Sequence, residues 1–293
     1  MNKKVIYSAV VGSYDNILQP VVVNPDFDYL LFSNDITEKS IGVWQIKKIS
    51  YHNDDRTKIA RWVKTHPEIL LPDYEISVWM DANVQITGSY FYDRVLDLYD
   101  KGILVSSMWH SERDCIYEEA AVVSYNGFDH EKTIVSWIKI LMQEGYPLHN
   151  GLIETNVVFR QHHHPIITEL DSLWWWCINN YSRRDQLSFN YLLWRQKIDC
   201  PFFLTDNQNT RNSDCLQWKK HHNSKNRQVN KSSWSDLFIP YFRKYHSVQQ
   251  IETVKNIYIK VSKLHCTYTV LFCIGQYYRM TNTLRTIKRK LFH

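Results

Sequence analysis

The chain has 293 residues, 44% of them hydrophobic and 22% charged, enough for one large domain plus an appendage. No run approaches the roughly 18 apolar residues that a membrane-spanning helix needs, and the N-terminus leads directly into a β-branched run, so neither a spanning segment nor a secretory signal is expected. Residues 219–293 carry fifteen basic and two acidic side chains, which leaves twenty basic and twenty-eight acidic in 1–218, so a net charge of +5 conceals an acidic body and a basic tail.

Taken in chain order, residues 5–11 form a continuous apolar strand that stops at Gly12-Ser13-Tyr14-Asp15. A second buried strand is expected over 29–33, ending at Asn34-Asp35, and a third over 43–49. Residues 55–66 read as a helix with Ile59, Trp62 and Val63 on one face, bracketed at its exit by Pro67 and Pro72. The strand expected over 76–80 runs straight into Asp81-Ala82-Asn83, and a fifth strand covers 103–108. Helical patterns follow over 131–144, 165–178 and 184–196, with a strand over 156–159 between the first two. In the tail, Ile251, Val254, Ile257, Tyr258, Val261 and Leu264 mark one helical stripe and Leu284, Ile287 and Leu291 a second, both flanked by basic residues. Strands alternating with helices predict an α/β domain with a mostly parallel sheet and a site at the strand carboxyl ends.

Several chemistries are excluded or demoted by motif. The turn after the first strand lacks the glycine fingerprint of dinucleotide binders, and no Walker A lysine motif occurs. The six cysteines (115, 177, 200, 215, 266 and 273) form neither a CxxC pair nor a zinc spacing, and read as reduced thiols. His162-His163-His164 precedes Pro165 and reads as a solvated loop rather than a metal tract. With no nucleic-acid recognition module, the basic tail reads either as an amphipathic helix for an anionic membrane surface or as a helix docked on the catalytic domain with a solvated basic face.

The residues that carry chemistry begin with Asp81 and Asn83. Two oxygen-bearing side chains two positions apart at a strand tip can reach one hard cation, which also binds phosphate oxygens. Arg61 and Lys64, at i and i+3, share a helix face and could hold phosphates or sugar hydroxyls. Asp35, at the end of the second strand, could accept a hydrogen bond from a base such as uracil. Ser182 is a plausible N-cap for the helix that begins near Arg184-Asp185-Gln186, and an acid there also suits the helix dipole.

Several strings in the same order resemble one family. They are Tyr7-Ser8-Ala9-Val10-Val11-Gly12-Ser13-Tyr14-Asp15, Ser77-Val78-Trp79-Met80-Asp81-Ala82-Asn83-Val84-Gln85-Ile86, His110-Ser111-Glu112-Arg113-Asp114-Cys115-Ile116-Tyr117-Glu118-Glu119, Gly151-Leu152-Ile153-Glu154 and Arg184-Asp185-Gln186-Leu187-Ser188-Phe189. From about residue 4 to 222 the chain is similar to the glycosyltransferase-like proteins named after plant turgor-regulation and mucilage-related members. The resemblance implies a Rossmann-like GT-A fold with a mixed, mostly parallel sheet over 1–222, followed by a basic helical segment over 223–293. It implies a Mn2+ or Mg2+ cofactor held by Asp81 and Asn83, with Asp-x-Asn standing where relatives have Asp-x-Asp, and by His221 as a C-terminal third ligand. Asp185 and Gln186 take the place of an element near the reacting sugar carbon; in an inverting enzyme Asp185 could instead be the base. His110, Arg113 and Glu118 or Glu119, with Glu154, fall on the acceptor side. The implied reaction moves a hexose from a nucleoside diphosphate sugar, a UDP sugar above all, to a hydroxyl of a bacterial cell-surface polysaccharide or lipid-linked glycan such as lipopolysaccharide. The expected setting is the cytoplasm, at the inner face of the cell membrane. Two rivals stay open: a metal-dependent, ceramidase-like hydrolase, and a non-catalytic glycan-binding protein.

Overall fold

The computed structural model describes residues 3–12, 14–205 and 208–221. The tail stripes, and with them the expected membrane-surface helix, lie outside the described residues, as do Cys266 and Cys273. Among the described residues no helix is long and apolar enough to cross a membrane.

The described residues divide into two compact units, those within 3–114 and 151–221, and residues 115–150. In the first unit a seven-stranded sheet runs in the order β3-β4-β2-β1-β5-β8-β7. Its strands are β1 (Lys4–Ala9), β2 (Phe27–Phe32), β3 (Ser40–Ile41), β4 (Trp44–Lys47), β5 (Ile76–Met80), β7 (Val105–Trp109) and β8 (Ile153–Arg160). β1 pairs in parallel with β2 and β5, and β2 with β4, whereas β8 runs antiparallel to both β5 and β7. A small second sheet joins β6 (Val84–Ile86) to β9 (Leu216–Trp218). The α/β class and the mostly parallel sheet are therefore as expected. β8 is longer than the four residues anticipated, because Ile153, Glu154 and Thr155 pair or pack as fully as the apolar run behind them.

Alternation along the central strands divides the core. Ile6, Tyr29, Leu31, Val78, Met80 and Phe159 pack beneath α3 (Tyr90–Asp100), which contributes Phe91, Tyr92, Val95 and Leu98. On the opposite face lie α1 (Arg56–Thr65), α6 (Pro165–Asn180) and α7 (Gln186–Gln196). α1 starts at Asp55, whose side chain accepts from the Thr57 backbone N–H at 2.9 Å. A short α2 (Pro67–Leu70) follows, opened by the proline expected to end α1.

In the second unit, α4 (Ile116–Tyr125) and α5 (Glu131–Gln143) bring Val123, Ile134, Trp137, Ile138 and Leu141 into buried positions, and the Tyr117 hydroxyl donates to the Tyr146 carbonyl at 2.7 Å.

The histidine tract departs from expectation. His162 is fully buried, with Nε2 3.1 Å from the Leu71 carbonyl, and burial pushes its pKa down to about 4, so it stays neutral. His164 caps α6, accepting from the Ile166 N–H at 3.3 Å. The reason is the turn before Pro165, which sets one ring against the Leu71 carbonyl and spends another on the start of α6. Ser182 also departs: its hydroxyl accepts from the Arg184 N–H at 3.2 Å, ahead of α7, and the N-cap position falls to Asp185.

Candidate functional site

The site is assembled at the carboxyl end of β5, where α1, α7 and β8 meet within the first unit. The last turn of α1 carries Arg61 and Lys64. Lys64 is fully buried, its ammonium 5.5 Å from the centre of the Trp79 ring and 5.4 Å from that of Trp174. It donates to Asp185 Oδ2 and lies 3.8 Å from Asp81 Oδ1. Arg61 reaches the same two acids, 3.2 Å from Asp185 Oδ1 and 3.7 Å from Asp81 Oδ1. Two cations and two carboxylates are thus interleaved.

Asp185 occupies the N-cap position of α7 but its side chain caps nothing. The carboxylate accepts instead from Lys64 and from the Thr155 hydroxyl at 2.7 Å, and the residue is almost wholly buried. A merely structural acid at a helix start would face the free N–H groups of the first turn. Burial alone would raise its pKa, but the charges of Arg61, Lys64 and Arg184 outweigh burial and hold the carboxyl well below the usual carboxylate range. Burial lowers Lys64 to about 8 against the opposing pull of Asp185 and Asp81, so it remains a cation at neutral pH.

Asp81 is the exposed member. Its backbone N–H donates to the Asn156 carbonyl at 2.8 Å, which fixes the strand tip, and Oδ1 accepts from the Trp79 indole at 2.8 Å. About a quarter of the side chain is open to solvent. Asp81 also lines a pocket with Ser8, Leu31, Trp44, Met80 and Val84 at the carboxyl ends of β1, β2 and β5. The Ser8 hydroxyl in that lining is buried and has no hydrogen-bond partner, the kind of group a ligand can satisfy.

A second buried ion pair supports α1 from beneath. Arg160 on β8 donates to Asp171 of α6 at 2.6 Å, to the Tyr7 hydroxyl, and to the Lys64 backbone carbonyl at 2.7 Å. The Tyr7 hydroxyl donates to that carbonyl as well, at 2.9 Å. One carbonyl on the last turn of α1 is therefore gripped from two strands, which sets the height of Lys64 above the sheet.

The remaining expected residues are distributed around this centre. Asn83 is buried; its Nδ2 donates to the Lys219 carbonyl at 2.9 Å, and its own carbonyl accepts from the Lys219 N–H at 2.7 Å. This clasp holds the segment after β9 beside the Asp81-Ala82-Asn83 tip. His221, two residues on, rests against Tyr14 and places Nδ1 2.8 and 3.0 Å from the carboxylate oxygens of Asp15. Asp35 is exposed beyond β2 and accepts from the Gly12 N–H, where a φ of +69° suits glycine. Gln186 opens α7 and accepts from Arg184 at 3.3 Å. Glu154 is buried on β8, bound by Arg211 at 2.6 and 2.7 Å and by Asn156 at 3.0 Å. His110 Nε2 is 4.0 Å from Glu154, and the His110 ring accepts the Glu112 and Arg113 N–H groups through Nδ1. Arg113 pairs with Glu112 at 2.9 Å, whereas Glu118 and Glu119 stand in the first turn of α4, in the second unit.

Sequence reasoning missed Asp15, Thr155, Arg160, Asp171 and Arg211. Asp15 had a signal, since it closes the turn that the first strand runs into. Arg160 and Asp171 had none, because each looks like an ordinary charge until the fold buries both.

A divalent cation needs several oxygen or nitrogen donors around it. Among the described residues no three His, Cys, Asp or Glu side chains form a ready-made cage. The expected set does not require one: Asp81 would offer a carboxylate and Asn83 an amide oxygen, since its nitrogen is spent on Lys219. The Asn83–Lys219 clasp draws the His221 segment to the same strand tip. A hard cation bound with one or two protein oxygens completes its shell from substrate phosphates and water. The residues fit a cation that arrives with a diphosphate.

Comparison with known proteins decides the family. The TOD1/MUCI70 glycosyltransferase-like domain model matches residues 2–221. The chain belongs to the TOD1/MUCI70 family. The match spans every residue of the site just described. No curated protein matches the chain. Among solved structures, the apo structure of WbbM, a bifunctional glycosyltransferase, is similar with a TM-score of 0.40 and 8% identity, over 69% of this chain and 38% of that one.

Proposed function

We propose that this TOD1/MUCI70 member is a hexosyltransferase that uses a nucleoside diphosphate sugar, a UDP sugar in particular, as donor. The observation that carries the reading is the buried Asp185 carboxylate locked to Arg61 and Lys64 beside the open Asp81 carboxylate. A diphosphate leaving group gathers negative charge as the sugar–oxygen bond breaks, and preorganised cations in a low-dielectric site stabilise that charge most. Arg61 and Lys64 are such cations, held in place before any ligand arrives. Asp185, kept ionised by them, can accept a hydrogen bond from a donor-sugar hydroxyl or stabilise positive charge on the anomeric carbon. Asp35 and the pocket beside Ser8 suit the nucleoside end of the donor.

A Mn2+ or Mg2+ ion would be held by Asp81, Asn83 and His221, and when bound it supplies charge neutralisation for the departing diphosphate. His110, Arg113 and Glu154 are the residues we assign to the acceptor. The acceptor is read as a hydroxyl of a bacterial cell-surface polysaccharide or a lipid-linked glycan, with the basic tail at an anionic membrane surface on the cytoplasmic face.

The test is a thermal-shift panel of nucleotides and nucleotide sugars, each with and without Mn2+. A ligand at a hundred times its dissociation constant adds about 2.7 kcal/mol of stability. A metal-dependent shift with one nucleotide class supports the reading. Turnover of a lipid amide with no nucleotide sugar present, or no shift with any nucleotide, overturns it.

A further inference from the structure

The cation site proposed above has an outer support that neither the family nor the sequence motif assigns: the geometry points to Asp15 as the residue that orients His221 for metal binding. The inference rests on His221 being a ligand, and its experiment separates the two claims.

Asp15 belongs to the turn after β1 and His221 to the segment after β9, so 206 positions separate them along the chain. They meet because Asn83 clasps Lys219 on both its N–H and its C=O. The Asp15 side chain is about 10% exposed, and both of its oxygens lie within 3.0 Å of His221 Nδ1. An ionised carboxylate can only accept, so Nδ1 carries the hydrogen. In a neutral ring the lone pair then sits on Nε2, the other nitrogen, as a metal ligand requires. Tyr14 lies against the imidazole with ring centres 4.7 Å apart and restricts its rotation. This is the arrangement by which ligating histidines are fixed in tautomer and direction, a carboxylate on one nitrogen and the metal on the other. A structural ion pair would need an imidazolium instead, with a hydrogen on both nitrogens, and would have no lone pair to offer.

The full chain, labelled with 15N-histidine, reports the tautomer of His221 directly by long-range 1H–15N correlation, with His221→Ala assigning the resonance. A hydrogen on Nδ1 alone is expected. Mn2+ is then titrated in the presence of UDP and followed by the electron paramagnetic resonance of the free ion. Asp15→Ala is expected to weaken Mn2+ binding by about 10- to 100-fold. Asp15→Asn, whose Oδ1 still accepts from Nδ1, should stay within a few-fold of wild type. The double variant Asp15→Ala, His221→Ala should bind no more weakly than His221→Ala alone. Wild-type affinity in Asp15→Ala, alongside a loss in His221→Ala, overturns the role of Asp15. An imidazolium or a hydrogen on Nε2 overturns it too, and needs no variant. Unchanged binding in His221→Ala, or no Mn2+ bound by the wild-type chain with UDP, overturns the metal reading itself and this inference with it.

Discussion

Asp185 and Lys64 are individually unfavourable to bury, and each is tolerated because the other is present. Removing one partner of a buried pair leaves the other charge uncompensated, at a cost of about 3–5 kcal/mol. Lys64→Met should therefore lower stability by that order in denaturant unfolding, with Arg61 moderating the loss. Asp185→Asn keeps the shape and the Thr155 contact, so nucleotide binding should persist while kcat falls at least 100-fold in a transferase assay. The pH dependence follows from Lys64. Its folded pKa of about 8 lies below the ordinary 10.5, because burial disfavours the ammonium. In the free protein the cation is thus complete only well below pH 8 and is half lost at about pH 8. The Lys64-dependent part of UDP-induced stabilisation should therefore already shrink as pH rises from 7 through 8 and be mostly lost above pH 9. A thermal-shift series across pH checks this, and Lys64→Met should show weak stabilisation with no such limb.

At the scale of elements, α1 is the part most worth perturbing, because its N-terminus and its last turn have separate anchors. Asp55 caps the first turn and also pairs with Arg183 at 2.9 Å. Asp55→Ala should cost about 1 kcal/mol as a lost cap, with little effect on the affinity for UDP, four residues or more from the functional turn. Arg160→Met acts at the other end. It leaves Asp171 buried without its cation and removes one of the two donors to the Lys64 carbonyl, so unfolding measurements should show a loss of several kcal/mol. In the folded fraction UDP should bind more weakly, because Tyr7 alone then holds the Lys64 carbonyl. Equal UDP affinity in both variants would remove the positioning role given to Arg160. The elements themselves were legible to different degrees. β1, β2, β5 and α1 follow from apolar periods and stop signals. β6 and β9 are three residues each, pair with one another across more than a hundred residues of chain, and carry no local pattern strong enough to read.

For the whole molecule, the acidic body and the basic tail make opposite demands on a charged partner. The full chain should bind anionic vesicles and release them as salt rises, since each basic residue near such a surface contributes about 1 kcal/mol and the attraction is screened. Neutral vesicles should not retain it. Co-sedimentation at low and high ionic strength decides the point, and salt-independent binding would remove the electrostatic account of the tail. The body should be unaffected, so UDP stabilisation measured with and without vesicles should agree.

Local order in the chain determined a good deal: the fold class, the strand tip at Asp81-Ala82-Asn83, the cationic face of α1 and the acid at Asp185, each of which depends on neighbours a few positions apart. Periodicity and turn chemistry are short-range properties, so they survive in a bare sequence. Tertiary structure alone decided which acids meet which cations. Whether Asp185 caps a helix or neutralises Lys64, whether His162 is solvated or buried, and whether Asp15 meets His221 all turn on contacts between residues distant in sequence. Burial is what gives those contacts their strength. It removes water from around the charges, and no pattern of residue types records where that happens.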